Sequence, residues 1–82
     1  MTVEQLRVMR ESNPFRPFRI HLADGKSFDV PHRDFVAPSP TGRTAIVYRP
    51  DDTYSVIDVY LITELEVLVP ASGGTNGSGA SN

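Results

Sequence analysis

The feature that most constrains the fold is the segment Phe18–Val30, which reads FRIHLADGKSFDV. A period of two between apolar and polar residues is typical of a strand with one buried face. The apolar set comprises Phe18, Ile20, Leu22, Phe28 and Val30. The pair Asp24-Gly25 lies between the two halves, and such pairs are typical of two-residue turns because they tolerate positive φ. The segment therefore predicts a β-hairpin with a two-residue turn.

The residues before the hairpin predict a helix over about 2–12. Val3, Leu6 and Met9 are spaced by three, which places them on one apolar stripe. The segment Thr2-Val-Glu-Gln5 has the form of a capping box at the start of the helix. A helix of this length is marginal by itself in water, so we expect the apolar stripe to dock on the rest of the chain.

The segments after the hairpin predict more short strands. A short apolar piece lies at 35–37, and three longer segments are rich in β-branched or aromatic residues: Thr44–Tyr48, Tyr54–Val59 and Glu64–Val69. Short antiparallel strands with tight connections must curl to bury one face. We therefore expect a mainly β fold, a small barrel of about five antiparallel strands with one N-terminal α-helix.

The length of 82 residues indicates one domain at most. We expect this domain to span residues 1–70. Residues 71–82 contain no large apolar side chain and are rich in Gly, Ser and Asn, so they predict a flexible tail. A domain of about 70 residues buries only roughly 60% of the surface that its unfolded chain exposes, so it is only marginally stable. Self-association through a sheet edge would therefore stabilise it.

The composition excludes several classes of function. The chain has no cysteine, which excludes disulfides, thiolate catalysis and cysteine-based zinc sites. The sequence contains no apolar run long enough to cross a bilayer and no secretory signal, so we expect a cytoplasmic protein and no membrane partner.

Charge is distributed unevenly along the chain. Residues 1–50 carry all eight Lys and Arg residues against five carboxylates, a balance of +3, whereas residues 51–82 carry five carboxylates and no Lys or Arg. Four arginines near the helix are candidate contacts for an anion or a nucleic acid: Arg7, Arg10, Arg16 and Arg19. The alternative is a solvated surface of ordinary ion pairs, which we favour because non-specific nucleic-acid binding normally requires a strongly basic domain.

The candidates for a metal or acid–base site are the two histidines and the aspartates of the same region, namely His21, His32, Asp24, Asp29 and Asp34. If the hairpin is symmetric about its turn, His21 lies near Asp29 on the neighbouring strand. A structural cross-strand pair is the interpretation that we favour. A metal site would need a third ligand, which the sequence does not indicate. The sequence therefore predicts no catalytic residues, no cofactor and no metal.

The order of these elements resembles the Sm-like version of the SH3-like barrel. The hairpin residues that carry the resemblance are Ile20, Leu22, Asp24, Gly25 and Lys26. Tyr60–Thr63 corresponds to the turn between the fourth and fifth strands. In bacterial Sm-like RNA chaperones this turn has a Tyr-Lys-His type signature and binds RNA inside a ring. Tyr60 matches this signature, but Leu61 and Ile62 replace its basic pair.

Two stretches of the sequence are also similar to a group of short bacterial proteins without an assigned activity. They are PFRPFRIHLADGKSFDVPHRDFV and, later in the chain, VYLITELEVL. This second resemblance transfers no functional residues.

The sequence therefore predicts a non-enzymatic interaction module. Sm-like rings pair their fourth and fifth strands between subunits, and the corresponding segments here are Tyr54–Val59 and Glu64–Val69. We expect a protein partner or a homo-oligomer that uses these strand edges. The alternative function is an Sm-like RNA-binding ring that uses the basic surface near the helix. A metal protein or enzyme centred on His21, His32 and Asp29 is the other alternative.

Overall fold

The computed structural model describes residues 1–68. One α-helix, α1 (Val3–Glu11), precedes six strands in this part of the chain. The strands are β1 (Phe18–Leu22), β2 (Ser27–Val30), β3 (Val36–Pro38), β4 (Thr44–Tyr48), β5 (Tyr54–Asp58) and β6 (Ile62–Val67). Two short 3-10 helices, Arg33–Phe35 and Val59–Leu61, lead into β3 and β6. The mainly β class with an N-terminal helix is confirmed.

The strands form two antiparallel sheets of three strands each. The first sheet has the order β2-β1-β6, and the second has the order β3-β4-β5. The short piece at 35–37 is a strand of its own, β3, so the described residues contain six strands rather than about five. These strands are divided between two sheets and do not form a single closed ladder.

The core lies between the two sheets and α1. Alternation in β1 confirms the predicted inward residues, because Phe18, Ile20 and Leu22 are all buried. Leu6 is fully buried, and Val3 and Met9 pack against the core at its margin. The other buried apolar residues are Val30, Val36, Ala45, Val47, Ile57, Val59 and Ile62. The predicted apolar stripe of the helix therefore docks on the sheets.

The start of α1 differs in one detail from the prediction. Thr2 is the N-terminal capping residue, but its side chain makes no capping hydrogen bond. The predicted capping box is therefore not formed. The helix ends at Glu11, and Ser12 has an extended backbone, which agrees with the helix predicted over about 2–12.

The turn of the first hairpin contains three residues and not two. The Leu22 amide donates to the Lys26 carbonyl at 2.9 Å, and the Gly25 amide donates to the Leu22 carbonyl at 3.0 Å. Gly25 has φ +91°, the left-handed conformation that completes a three-residue turn of this type. The prediction of a two-residue turn is wrong, and the extra residue shifts the strand register by one position.

The expected tail, 71–82, lies outside the described residues, so the predicted domain boundary remains a prediction. Within residues 1–68, no helix is both long enough and apolar enough to cross a membrane.

Candidate functional site

Each sheet ends in strands that pair on one side only. Among the described strands, β5 pairs only with β4, and β6 pairs only with β1. These are the two strands whose edges the sequence predicted as interaction sites. An unpaired edge presents backbone amides and carbonyls that can accept another strand. The edge of β5 is the more notable of the two because of the side chains that it carries.

The outward face of the second sheet is apolar. We define the apolar face as the apolar and aromatic outward side chains Ala37, Ile46, Tyr48, Tyr54 and Val56, and the polar residues Thr44 and Asp58 lie on the same side at one end of the strands. The strand register places Ile46 between Ala37 and Val56, and it places Tyr48 opposite Tyr54. The rings of Tyr48 and Tyr54 are 5.7 Å apart between centroids. Val56 is 61% exposed and Tyr54 is 60% exposed, both on the edge strand β5.

Tyr54, the first residue of the predicted strand Tyr54–Val59, is exposed and does not belong to the core. Tyr54 shares a face with Val56, as the alternation indicates, but that face points outward. The core side of β5 is instead formed by Ile57. Both faces of this sheet carry apolar residues, so alternation alone does not indicate which face is buried.

The turn before β6 extends the exposed apolar surface. Tyr60 and Leu61 are 61% and 46% exposed in the short 3-10 helix Val59–Leu61. The corner predicted at these residues is therefore present. The Arg43 guanidinium lies 5.3 Å from the centre of the Tyr60 ring, within the range of a cation–π contact. Ile62, one of the two residues that replace the basic pair of the Sm-like signature, is buried in the core.

The outward face of the first sheet is polar, in contrast to that of the second. Arg19 Nε donates to Asp29 Oδ1 at 2.6 Å across β1 and β2. His21 Nε2 lies 2.9 Å from Glu66 Oε1 across β1 and β6. The hydrogen bond from Arg19 lowers the pKa of Asp29 below its usual value, and the same contact raises the pKa of Arg19. This face is therefore a network of charged cross-strand contacts.

The predicted pair of His21 with Asp29 is not the pair that the structure forms. The three-residue turn places Arg19 opposite Asp29 and His21 opposite Ser27. His21 instead contacts Glu66, 45 positions later in the chain. No local pattern in the sequence indicates this partner, because it depends on the pairing of the first and last strands.

The four candidate arginines have separate roles. Arg10 Nε donates to the Val36 carbonyl at 2.6 Å, and Arg7 reaches the Ser39 carbonyl at 3.4 Å, so both tie α1 to the second sheet. Arg19 is bound to Asp29. Arg16 lies in the connection to β1 and is half-buried. A phosphate that bound Arg7, Arg10 or Arg19 would have to replace these contacts.

A cleft of about 820 Å³ lies between β2 and the β4–β5 hairpin. Its walls include two basic side chains, Arg19 and Arg49, and two acidic side chains, Asp29 and Asp51. Arg49 lies 5.8 Å from the centre of the Phe28 ring and so bridges the two sheets. His32, the other candidate ligand, lies elsewhere and contacts Asp34 at 3.8 Å.

Comparisons of the chain with family models, with curated proteins and with solved structures found no match.

Proposed function

We propose that this chain is a small, non-enzymatic interaction module that associates with a second copy of itself through the edge of β5. The observation that carries this proposal is the exposure of Val56 and Tyr54 on a strand that is unpaired on one side. An exposed apolar side chain alone is ordinary on a protein surface. An apolar face that continues to a strand edge without a described neighbour is a less ordinary feature. Such an edge can give backbone hydrogen bonds to a partner, and such a face can give the same partner hydrophobic contact.

Antiparallel pairing of β5 with β5 of a second copy would extend the second sheet to six strands. The apolar faces of the two copies would then be continuous, with Val56 near the centre of the new edge. Tyr54 and Val56 of each copy would contact side chains across the new strand pair and lose part of their exposure, and such cross-strand pairs contribute about 0.2–1 kcal/mol each. Strand addition of this kind is a general mode of protein association.

An SH3/Sm-like architecture is the finer part of the proposal. It is supported by the N-terminal helix, the short antiparallel strands and the 3-10 turn between the last two strands. Two of the four edge strands, β5 and β6, correspond to those that Sm-like proteins pair between subunits. A ring through β5 and β6 is therefore the other assembly that the solution mass can reveal.

The test is a measurement of solution mass by light scattering on a sizing column, over a range of protein concentrations. We expect a mass above that of the 9.0 kDa monomer that rises with concentration to that of a dimer. Val56→Lys places a charge at the centre of the proposed interface and should return the protein to a monomer. Val8→Lys is the matched control, because Val8 is 65% exposed on the helix and distant in sequence from β5.

A monomeric wild-type protein at all concentrations would overturn self-association, as would equal effects of the two substitutions. A hexamer or heptamer would favour the ring instead. Titration with mixed-sequence RNA at low salt then tests the alternative function, since binding through arginines should weaken steeply as salt rises.

A further inference from the structure

Three side chains with metal-binding atoms converge on the outward face of the first sheet. They are His21, Glu64 and Glu66, and one donor atom from each lies within 4.8 Å of the others. Two strands supply them, because His21 lies on β1 directly opposite Glu64 on β6. Glu66 follows Glu64 by two positions and so points to the same side of the sheet. The last strand therefore supplies two of the three side chains, and of the candidates from the sequence only His21 belongs to the cluster.

The backbone around these residues fixes their positions. The β1–β6 register shifts between His21 and Leu22, where Thr63 is the additional residue on β6. The Thr63 hydroxyl donates to the His21 carbonyl at 3.2 Å. Such irregularities redirect side chains and are frequent beside functional sites. Here the irregularity lies immediately next to the three converging side chains.

The charges on this face are not balanced within the sheet. Asp29 accepts a hydrogen bond from the guanidinium of Arg19. Nη1 of the same guanidinium is 3.9 Å from Glu66 Oε1. The outward face of β1, β2 and β6 carries three carboxylates against this one guanidinium, a balance of −2 when His21 is neutral. A divalent cation bound by His21 and two carboxylates would neutralise that surplus.

The donor set indicates the class of ion. Imidazole nitrogen favours zinc and the later first-row transition metals, whereas magnesium and calcium prefer oxygen ligands alone. A set of one His and two carboxylates is compatible with tetrahedral zinc, with the fourth position left for water or for a donor from another molecule. We propose that His21, Glu64 and Glu66 form a binding site for Zn²⁺ or a similar transition-metal ion.

The experiment is a calorimetric titration of the purified, metal-free protein with Zn²⁺ in a non-chelating buffer. We expect one ion per chain and an increase in melting temperature that EDTA reverses, because an ion that binds only the folded state stabilises it. Mg²⁺ should give no comparable shift. The variants His21→Ala, Glu64→Gln and Glu66→Gln should each weaken Zn²⁺ binding at least about tenfold, the loss that even outer partners of metal ligands can cause.

His32→Ala is the matched control, because His32 also lies near a carboxylate but is not part of the cluster. It should bind Zn²⁺ as the wild type does. Absence of Zn²⁺ binding to the wild type would overturn the proposal, and so would an equal loss in the His21 and His32 variants. If His21→Ala does not fold, the exposed Glu64→Gln variant decides the question, because it retains both the charge pair of Arg19 and the hydrogen bond of His21.

Discussion

At the scale of single residues, the Arg19–Asp29 contact makes stability depend on pH. The guanidinium lowers the pKa of Asp29 below its usual 3.8 in the folded state. A carboxyl group with a depressed pKa stabilises the fold above its unfolded value and loses that contribution as pH falls through the folded value. We predict that Asp29→Asn is slightly less stable than the wild type at neutral pH. The difference should shrink as the pH falls below 3.8 and disappear once the pH has passed through the lowered pKa of Asp29.

Urea unfolding followed by circular dichroism, repeated over a series of pH values, measures this difference. The effect is small because the pair is exposed and screened by solvent. Asp34→Asn is a suitable control. Within residues 1–68, the Asp34 carboxylate forms one charge pair, with His32 at 3.8 Å, and none with an arginine. A gap between Asp29→Asn and the wild type that persists at pH 2 would show that the substitution acts by another route.

The candidate metal ligands illustrate what can be predicted at this scale. His21 was identifiable from the sequence as a residue on the outward side of β1, and its outward position is confirmed. Its partners were not identifiable, because Glu64 and Glu66 become neighbours only when the last strand pairs with the first. Long-range strand pairing leaves no mark in local periodicity, so ligands from distant strands are found only in the folded structure.

At the scale of elements, Gly42 determines how closely α1 approaches the loop before β4. Gly42 has φ +78°, and a Cβ at this position would lie 2.7 Å from Cγ1 of Val3 on the helix. Gly42→Ala therefore combines left-handed strain of about 1–2 kcal/mol with a steric clash. We predict a loss in free energy of unfolding that exceeds the strain alone by about 1–3 kcal/mol, the usual cost of overpacking.

Gly25→Ala separates these two contributions. Gly25 has φ +91°, but a Cβ there would meet no atom within 4 Å, so this variant reports the strain alone. Chemical denaturation of both variants gives the comparison. Addition of Val3→Ala should recover part of the loss in Gly42→Ala and none of the loss in Gly25→Ala. Equal losses in the two glycine variants would mean that the helix adjusts its position without cost.

The hairpins show why elements were easier to predict than their registers. The existence of β1 and β2 follows from alternation, which is confirmed on both strands. The number of residues in the turn depends instead on which residue takes a positive φ. Only Gly25 does so in the first turn, whereas a two-residue turn needs Asp24 to do so as well. The turn places Ser27 rather than Asp29 opposite His21, whereas the contact of His21 with Glu66 depends on the pairing of β1 with β6.

At the scale of the whole molecule, the two sheets have opposite outward faces. The first presents charged cross-strand pairs, and the second presents the apolar face. The overall class, the helix and the buried residues of α1, β1 and β2 were predictable, because those residues fit local patterns. The division into two sheets was not predictable, since it depends on which distant strands pair. The buried face of the second sheet was not predictable either, because β4 and β5 carry apolar residues on both faces.

The helix joins the two sheets into one core, which makes the last prediction a test of the whole fold. Leu6 is fully buried, and Arg10 binds the Val36 carbonyl beside it along the helix. Leu6→Ala should lower the free energy of unfolding by about 2–5 kcal/mol because it leaves a cavity. A domain of roughly 70 residues has only about 4–10 kcal/mol in total, so much of the protein should be unfolded at moderate urea concentrations. Val8→Ala, an equivalent truncation at a site that is 65% exposed, should change stability by less than about 0.5 kcal/mol. If both variants unfold at the wild-type midpoint, α1 does not contribute to the cooperative core, and the sheets must hold together without it.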